Sequence, residues 1–292
     1  MSTRVLRSIP TLREALAEVR GAKKTIGLVP TMGALHAGHT RLIRCALEQS
    51  DYVVVSIFVN PIQFNQKEDY EQYPQPLEED ITQCEKLGVP MIFAPPAEEM
   101  YPRPLRTFVE VEGVSEHLCG KFRPGHFRGV ATVVMKLFAI VQPDRAFFGE
   151  KDAQQLAVIQ HMVEDLNLPV EIVPVPIVRE EDGLALSSRN RRLTCEQRRA
   201  AVVLYRALQA AERRFDAGAD RAEDLKREAL SVLKREPLAQ VEYLEVVDAE
   251  TMQPVERLEG PVRMAGAIWI GAVRLIDNVL LRSGACLVQD LD

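Results

Sequence analysis

Two histidines three residues apart, His36 and His39, lie in the segment MGALHAGH, which runs from Met32 to His39. The segment follows a short apolar run and precedes a helical pattern. The amino terminus of a helix presents unpaired N–H groups and a positive dipole end, and both attract anions. Gly33 and Gly38 allow a ligand to approach the backbone closely. Imidazole donors at this place could stabilise the charge that builds on phosphate oxygens during a displacement reaction.

Two other interpretations of this histidine pair stay open. In the first, one imidazole packs against the protein and the other is solvated. In the second, the pair binds zinc, but that site needs further ligands. The strand–glycine–helix context favours phosphate binding over both. The histidines left to complete a zinc site are His117, His126 and His161.

A second segment, FGEKDAQQ, has the same context, because the apolar run RAFFG ends within it and a helical pattern follows. In an open α/β sheet, ligands bind outside the carboxyl ends of the strands. Lys151 is therefore a candidate for a phosphate contact, and Gly149 or Asp152 for the ribose hydroxyls. The alternative is a turn in which Asp152 caps the helix, and capping need not exclude binding.

A third segment, LALSSRNRRL, begins a basic stretch in an acidic protein. Residues 187–199 contain five arginines and one acid. The hydroxyls of Ser187 and Ser188, followed by the guanidinium of Arg189, suit a phosphate clamp. The two arginines at the end of the stretch are better interpreted as the exposed face of a helix.

Amide side chains follow the apolar run YVVVSIFV, at Asn60, Gln63 and Gln66. Neutral amides can bind both the hydroxyls and the carboxylate of a small polyol acid. Asp80 lies in the first turn of a helical pattern over residues 76–87. Acids there usually interact with the helix dipole, and magnesium binding is the alternative role.

The elements that must position these side chains alternate along the first part of the chain. Apolar, β-branched runs predict strands, and apolar residues at helical spacing predict helices. This alternation is typical of a doubly wound, Rossmann-like parallel sheet. The predicted strands cover 25–30, 52–59, 89–94, 145–149 and, as an edge or irregular strand because of its prolines, 171–178; the predicted helices cover 11–19, 40–48, 76–87, 127–141 and 153–166.

The pattern changes after about residue 180. Charged, Ala-rich amphipathic helices are predicted over 196–215 and 222–234, and half-buried strands over 241–248 and 267–276. A smaller α+β domain fits this pattern. We therefore expect two domains, 1–178 and 179–292.

Composition limits the class of protein without naming an activity. Of 292 residues, 47% are hydrophobic and 27% are charged, with a net charge of −6, which argues against nucleic acid or an anionic membrane as partner. The amino-terminal residues lack the apolar core of a signal peptide. The odd number of widely spaced cysteines favours reduced thiols and a cytoplasmic protein. These cysteines are Cys45, Cys84, Cys119, Cys195 and Cys286.

Five segments together resemble the pantothenate synthetase (pantoate–β-alanine ligase) family. The resemblance covers nearly the whole chain, in the family's order and spacing, whereas HxGH alone would indicate only the wider nucleotidyltransferase superfamily. The family usually has an acid where this chain has Ala37, which is the variable position of the motif. The segments are VPTMGALHAGH, FVNPIQF, RPGHFRGV, FFGEKDAQQL and GLALSSRNRRL.

The resemblance implies ATP-dependent condensation of (R)-pantoate with β-alanine through a pantoyl adenylate, with release of AMP and diphosphate. It implies magnesium, a homodimer with the strand at 52–59 or its neighbours as candidate interface, and a C-terminal domain that closes over the ATP site. It assigns His39 as proton donor. The ATP-binding residues that it implies are Met32, Gly33, Ala34, Leu35, His36, Ala37, Gly38, His39, Gly149, Glu150, Lys151, Asp152, Val178, Leu186, Ser187, Ser188 and Arg189.

For the other substrates, the resemblance assigns Gln63 to pantoate and β-alanine, and Gln155 to pantoate. It places magnesium at Asp80. The charge on the phosphates would be neutralised by side chains of all three segments, which are His36, His39, Lys151, Ser187, Ser188 and Arg189. Because water would destroy the adenylate, we expect a closing flap, formed by residues 63–73 or 120–129.

Two other functions stay open. A nucleotidyltransferase on the same scaffold would leave the nucleotide attached to its product and would not require the Gln63 and Gln155 amides. A nucleotide-binding regulator without catalysis is disfavoured by the intact His36, His39 and Lys151.

Overall fold

The computed structural model describes residues 3–282, which form two compact units. The first unit contains a parallel sheet with helices, and the second contains a small antiparallel sheet with helices, so the predicted fold class is confirmed. The first unit comprises residues 3–115, 120–178 and 186–188; the second comprises 116–119, 179–185 and 189–282.

The sheet of the first unit has six parallel strands in the order β1-β4-β3-β2-β5-β6. The chain adds β3 and β4 on one side of β2, then returns to add β5 and β6 on the other. The strands are β1 (Arg4–Leu6), β2 (Ile26–Thr31), β3 (Tyr52–Ile57), β4 (Met91–Phe93), β5 (Arg145–Gly149) and β6 (Glu171–Val175).

The strand order reverses between β2 and β5. These two strands pair only at Gly27–Arg145 and Leu28–Ala146, near their amino ends. By contrast, β2 and β3 remain paired as far as Thr31–Ile57. The carboxyl ends of β2 and β5 therefore diverge, and a crevice at such a switch point is where ligands of open α/β sheets bind.

Burial explains why β3 is so apolar. Both of its edges are paired, and the valines at 53–55 are fully buried, as expected for an interior parallel strand. Within the described residues both edges of β3 are occupied by β2 and β4, and the homodimer interface through residues 52–59 or their neighbours stays a prediction. β6 lies at the edge of the sheet and tolerates Pro174, as predicted.

The predicted helices of the first unit are confirmed to within three residues at each end. Strand β1 escapes the sequence patterns because it has only three residues and begins with an arginine. The helices of the chain are α1 (Ile9–Gly21), α2 (Ala37–Gln49), α3 (Lys67–Glu71), α4 (Leu77–Leu87), α5 (Ala97–Met100), α6 (Cys119–Phe122), α7 (His126–Val141), α8 (Ala153–Asp165), α9 (Cys195–Ala200), α10 (Val203–Asp216) and α11 (Ala222–Leu233).

The second unit corrects two predictions. The segment 267–276 is not one strand, because Gly271, with φ +57°, opens a two-residue turn between β8 (Val262–Ile270) and β9 (Val273–Leu281). A glycine-first turn inside an alternating apolar run hides a hairpin as a single strand. The helix predicted over 196–215 is two helices, α9 and α10, and β7 (Ala239–Asp248) completes the antiparallel sheet.

Within residues 3–282, no helix is both long enough and apolar enough to cross a bilayer. Cys45, Cys84, Cys119 and Cys195 are free thiols. Cys286 lies outside the described residues.

Candidate active site

The loop that leaves β2 is fixed at its first turn by Thr31. The Thr31 hydroxyl donates to the Ser56 carbonyl oxygen (2.7 Å) and accepts from the Gly33 N–H (3.2 Å). Gly33 and Ala34 both have left-handed backbones, with φ of +80° and +50°. A backbone held in this region by a non-glycine residue is strained and needs support from its surroundings.

Asp80, on the first turn of α4, supplies that support. Its two carboxylate oxygens accept hydrogen bonds from the N–H groups of Ala34 (2.8 Å) and Leu35 (2.7 Å). The carboxylate is buried, and a Cβ at Gly33 would lie 2.8 Å from its Oδ2. The loop that leads to the histidines is thus held by charge-assisted hydrogen bonds from another helix.

This arrangement does not fit a magnesium ion at Asp80. Both oxygens already bind backbone amides, and magnesium requires octahedral ligands and usually retains several waters, which a 2% exposed carboxylate does not accommodate. Among residues 3–282 there is no group of three or more His, Cys, Asp or Glu side chains that could hold a metal ion. The zinc interpretation of the histidine pair therefore has no ligand set in the described chain.

His36 and His39 cap α2 reciprocally. The His36 N–H donates to Nδ1 of His39 (3.3 Å), and the Gly38 N–H donates to Nδ1 of His36 (3.1 Å). A neutral imidazole that accepts at Nδ1 carries its proton at Nε2. Both rings, whose centroids lie 4.1 Å apart, therefore offer Nε2–H groups as donors at the head of the helix.

The charge state of His39 follows from its surroundings. Burial and the neighbouring His36 lower the pKa of His39 to about 3, Asp152 opposes this shift, and Lys151 adds to it. The ring is therefore neutral at pH 7. In this state the ring is able to donate a hydrogen bond from Nε2 but carries no positive charge.

The second predicted segment lies at the carboxyl end of β5 and opens α8. Lys151 and Asp152 form an ion pair (3.5 Å), and both interact electrostatically with His39. Asp152 occupies the position before α8, but its side chain makes no capping hydrogen bond within the described chain. The structure thus brings Lys151 into the electrostatic environment of the histidine pair.

Two parts of the third predicted segment approach the same region. The Leu186 N–H donates to the Val178 carbonyl oxygen (3.0 Å), and a Cβ at Gly38 would lie 4.0 Å from the Leu186 Cβ. The Ser188 hydroxyl lies 3.4 Å from that of Tyr73. Tyr73 was not among the predicted site residues, because nothing in its local sequence signals this long-range contact.

The amide side chains contact the loop after β2 through Gln63. The Gln63 Nε2 group donates to the Met32 sulfur (2.9 Å), and the Gln63 Oε1 atom accepts from Asn60 (3.0 Å). Both amides are buried. Gln155 lies on the first turn of α8 and is half-buried, and no side-chain hydrogen bond within residues 3–282 brings it to the other predicted residues.

Two basic side chains hold the Gln63 backbone. The carbonyl oxygen of Gln63 contacts Nδ1 of His126 (2.8 Å) and accepts from Arg123 (3.4 Å). The side chain of Asn65 donates to the Pro124 carbonyl oxygen. The two candidate flap segments, 63–73 and 120–129, are therefore hydrogen-bonded to each other.

The chain is similar to proteins of one family over almost its whole length. Residues 4–280 match the family model described as pantoate-beta-alanine ligase. A pantothenate synthetase of Caldicellulosiruptor bescii is 50% identical over 96% of this chain and 99% of its own length. One from Thermotoga petrophila is 51% identical over 95% and 99%.

Solved structures of the same family are also similar to this chain. A pantothenate synthetase of Thermus thermophilus is 46% identical, covers 95% of this chain and 99% of its own, and superposes with a TM-score of 0.90. A pantoate-beta-alanine ligase of Francisella tularensis, complexed with beta-gamma ATP and beta-alanine, is 35% identical over 96% and 98%, with a TM-score of 0.77. The family predicted from the motifs is confirmed: the chain belongs to the pantoate–β-alanine ligases, also called pantothenate synthetases.

Proposed function

We propose that this ligase condenses (R)-pantoate with β-alanine at the expense of ATP, through a pantoyl adenylate, and releases AMP and diphosphate. The observation that carries the proposal is the pair of Nε2–H donors at the head of α2, which lies next to Lys151 and follows the loop whose Met32 accepts a hydrogen bond from the Gln63 amide. The loop after β2 thus has imidazole donors for phosphate and, in Gln63, an amide donor for the acid substrate. The ATP and β-alanine bound to the Francisella tularensis relative support the same substrates here.

In the first step, the pantoate carboxylate attacks the α-phosphorus of ATP and diphosphate leaves. The imidazoles of His36 and His39 donate hydrogen bonds to phosphate oxygens through Nε2, and Lys151 supplies a positive charge. Such positioning and electrostatic stabilisation account for most of the catalysis of phosphoryl transfer. His39 holds its proton at Nε2 and donates it as a hydrogen bond, which refines the role of proton donor that the resemblance implies.

Further nucleotide contacts belong to the same proposal. Ser187, Ser188 and Arg189 are assigned to the phosphates, and the backbone at Val178 and Leu186 to the rest of the nucleotide. Glu150 and Asp152, with Gly149, are assigned to the nucleotide at the end of β5.

In the second step, the amine of β-alanine attacks the activated carbonyl and AMP leaves. Gln63, buried beside Met32, is assigned to pantoate and β-alanine, and Gln155 to pantoate. The adenylate needs protection from water, and the linked segments 63–73 and 120–129 are the proposed flap.

Other features rest on the family resemblance. These are a homodimer, magnesium as the companion of ATP, and closure of the second domain over ATP. The domain bounds themselves, 1–178 and 179–292, rest on the change of pattern along the sequence. No ligand of this chain is assigned to magnesium, because Asp80 does not fit it. A cytoplasmic location is supported by the free thiols of the described residues, and the net charge of −6 argues against a nucleic-acid partner.

One assay tests the proposal. The protein is incubated with ATP, magnesium, pantoate and β-alanine, each substrate is omitted in turn, and the products are identified by mass. We expect free AMP and pantothenate only when both the acid and the amine are present. A product that retains the nucleotide would instead identify a nucleotidyltransferase, and the absence of turnover would identify a binding protein.

A further inference from the structure

Tyr101 lies outside every motif that the sequence singles out, and its hydroxyl donates to Asn60 Oδ1 at 2.7 Å. We propose that Tyr101 is a positioning residue that, through Asn60, fixes the side-chain amide of Gln63 with its NH₂ group toward the acid substrate. The inference rests on the proposed function, because it concerns how that acid is bound.

The orientation of the Asn60 amide is set by a backbone carbonyl. Nδ2 of Asn60 lies 3.2 Å from the carbonyl oxygen of Gly129, on α7. A carbonyl oxygen can only accept, so the NH₂ group must face it, and Oδ1 must face Tyr101. Because Asn60 is only 1% exposed, water does not substitute for these partners.

The second hydrogen of the Asn60 NH₂ group then sets Gln63. It is donated to Gln63 Oε1 at 3.0 Å, which turns the Gln63 NH₂ group to the other side, 2.9 Å from the Met32 sulfur. A thioether is a weak acceptor. The Gln63 amide therefore presents N–H donors, and not its oxygen, beside the nucleotide loop.

Tyr101 can perform this task because its hydroxyl stays protonated. Burial raises the pKa of Tyr101 above its usual value, so the group is a donor throughout the working range of the enzyme. Its ring is held between Phe58, with centroids 6.1 Å apart, and the ammonium of Lys136, 5.4 Å from the ring centroid. In this series of hydrogen bonds Tyr101 always donates to Asn60, and Asn60 always donates to Gln63.

This direction limits what Gln63 recognises. The oxygen of Gln63 is turned toward Asn60, so the group that Gln63 presents beside Met32 is its NH₂, which donates to an acceptor such as a carboxylate oxygen. The structure therefore assigns Gln63 to the carboxylate side of a hydroxy acid. Because the NH₂ group of Gln63 is neutral, it binds the substrate carboxylate without neutralising its charge. The carboxylate therefore remains nucleophilic toward phosphorus.

The test compares Tyr101→Phe with Tyr52→Phe, the same change at the amino end of β3, away from this chain of hydrogen bonds. Tyr101→Phe should raise KM for pantoate about tenfold and leave KM for ATP unchanged, whereas Tyr52→Phe should change neither constant. Equal changes in both Michaelis constants of Tyr101→Phe, or none, would overturn the proposal.

Gln63→Glu tests the orientation separately, because it is isosteric. If the NH₂ group faces the substrate carboxylate, replacing it with a carboxylate oxygen should raise KM for pantoate by about a hundredfold or more, since two carboxylates would then face each other. If the amide oxygen faces a substrate hydroxyl instead, the variant should bind pantoate nearly normally, and the inference fails.

A measurement without substrate separates this inference from the proposed function. Exchange of the Asn60 side-chain NH₂ hydrogens with water, followed by NMR in the ligand-free protein, should be slow in the wild type and in Tyr52→Phe. It should be about tenfold faster in Tyr101→Phe, because a lost hydrogen bond loosens the amide. If exchange in Tyr101→Phe is as slow as in the wild type, Tyr101 does not hold the Asn60 amide, and the inference fails even if the protein makes pantothenate.

Discussion

Two strand-to-helix turns flank the switch point of the parallel sheet, and they are held in different ways. The turn after β2 is fixed by Thr31, by Asp80 and by the reciprocal caps of His36 and His39. The turn after β5 carries Lys151, whose ammonium is paired at 3.5 Å with a half-exposed Asp152 that makes no capping hydrogen bond within the described chain. The first turn is held by several hydrogen bonds and presents the neutral ring of His39, whereas the second carries a charged lysine on a long side chain.

The difference indicates a division of labour. Donors that are already oriented stabilise developing charge without reorganisation, which suits the histidine turn. A lysine on a flexible stem can follow a phosphate group as bonds form and break, which suits the turn after β5. The predictions below test this division, beginning with the largest expected effect.

His39→Ala should reduce pantoate-dependent diphosphate release about a thousandfold, because it removes an oriented donor from the developing charge. The fold should persist, with a loss of about 1 kcal/mol from the missing cap. His161→Ala, later on α8, is the matched control. Near-normal diphosphate release in His39→Ala would exclude the role assigned to this ring.

Lys151→Ala should slow the same step about a hundredfold, because a charge near the phosphates is lost. It should leave the thermal melting temperature unchanged, since a partly exposed pair contributes little to stability. Lys24→Ala, at the amino end of β2, provides the comparison for removal of a lysine. An effect confined to the attack of the amine, measured with preformed adenylate, would contradict the assignment.

Asp80→Asn should lower the free energy of unfolding by about 2 kcal/mol, because an amide nitrogen would face a backbone N–H in place of an acceptor. The loosened loop should also raise KM for ATP. Chemical denaturation measures the first effect, with the exposed neighbour Glu79→Gln as control. A loss of magnesium affinity at unchanged stability would instead restore the metal role of Asp80.

The smallest effect concerns pH. Because the pKa of His39 is about 3 in the folded protein and about 6.5 when unfolded, the unfolded chain binds more protons between these values. Stability therefore falls as pH is lowered through 6.5. His39→Gln should lose less stability between about pH 7 and about pH 5 than the wild type, with His161→Gln as control. Parallel denaturation curves for His39→Gln and the wild type would mean that His39 titrates normally.

The strand and helix patterns predicted most of the first unit, because buried parallel strands and amphipathic helices have strong local signatures. The same patterns predicted that α2 begins at residue 40, whereas it begins at Ala37. Histidine is not an expected capping residue, so the reciprocal cap of His36 and His39 was invisible in the sequence. The prediction therefore singled out His36 and His39 without the hydrogen bonds that orient them.

The hairpin β8–β9 was missed for a different reason, because its turn residue was visible but was not interpreted as a turn. Gly271 was visible in the sequence, but the apolar alternation continued across it on both sides. Only pairing between the two halves distinguishes a hairpin from one long strand, and pairing is a tertiary property.

The sequence by itself determined the family and the doubly wound sheet, and it singled out the segments proposed to bind the nucleotide, because each depends on residues close together in the chain. Only the tertiary structure decided what holds the site. Asp80 reaches back to Ala34 and Leu35, and Tyr101 reaches Asn60, through contacts between distant segments. Such contacts depend on strand order and helix packing, which no local pattern encodes.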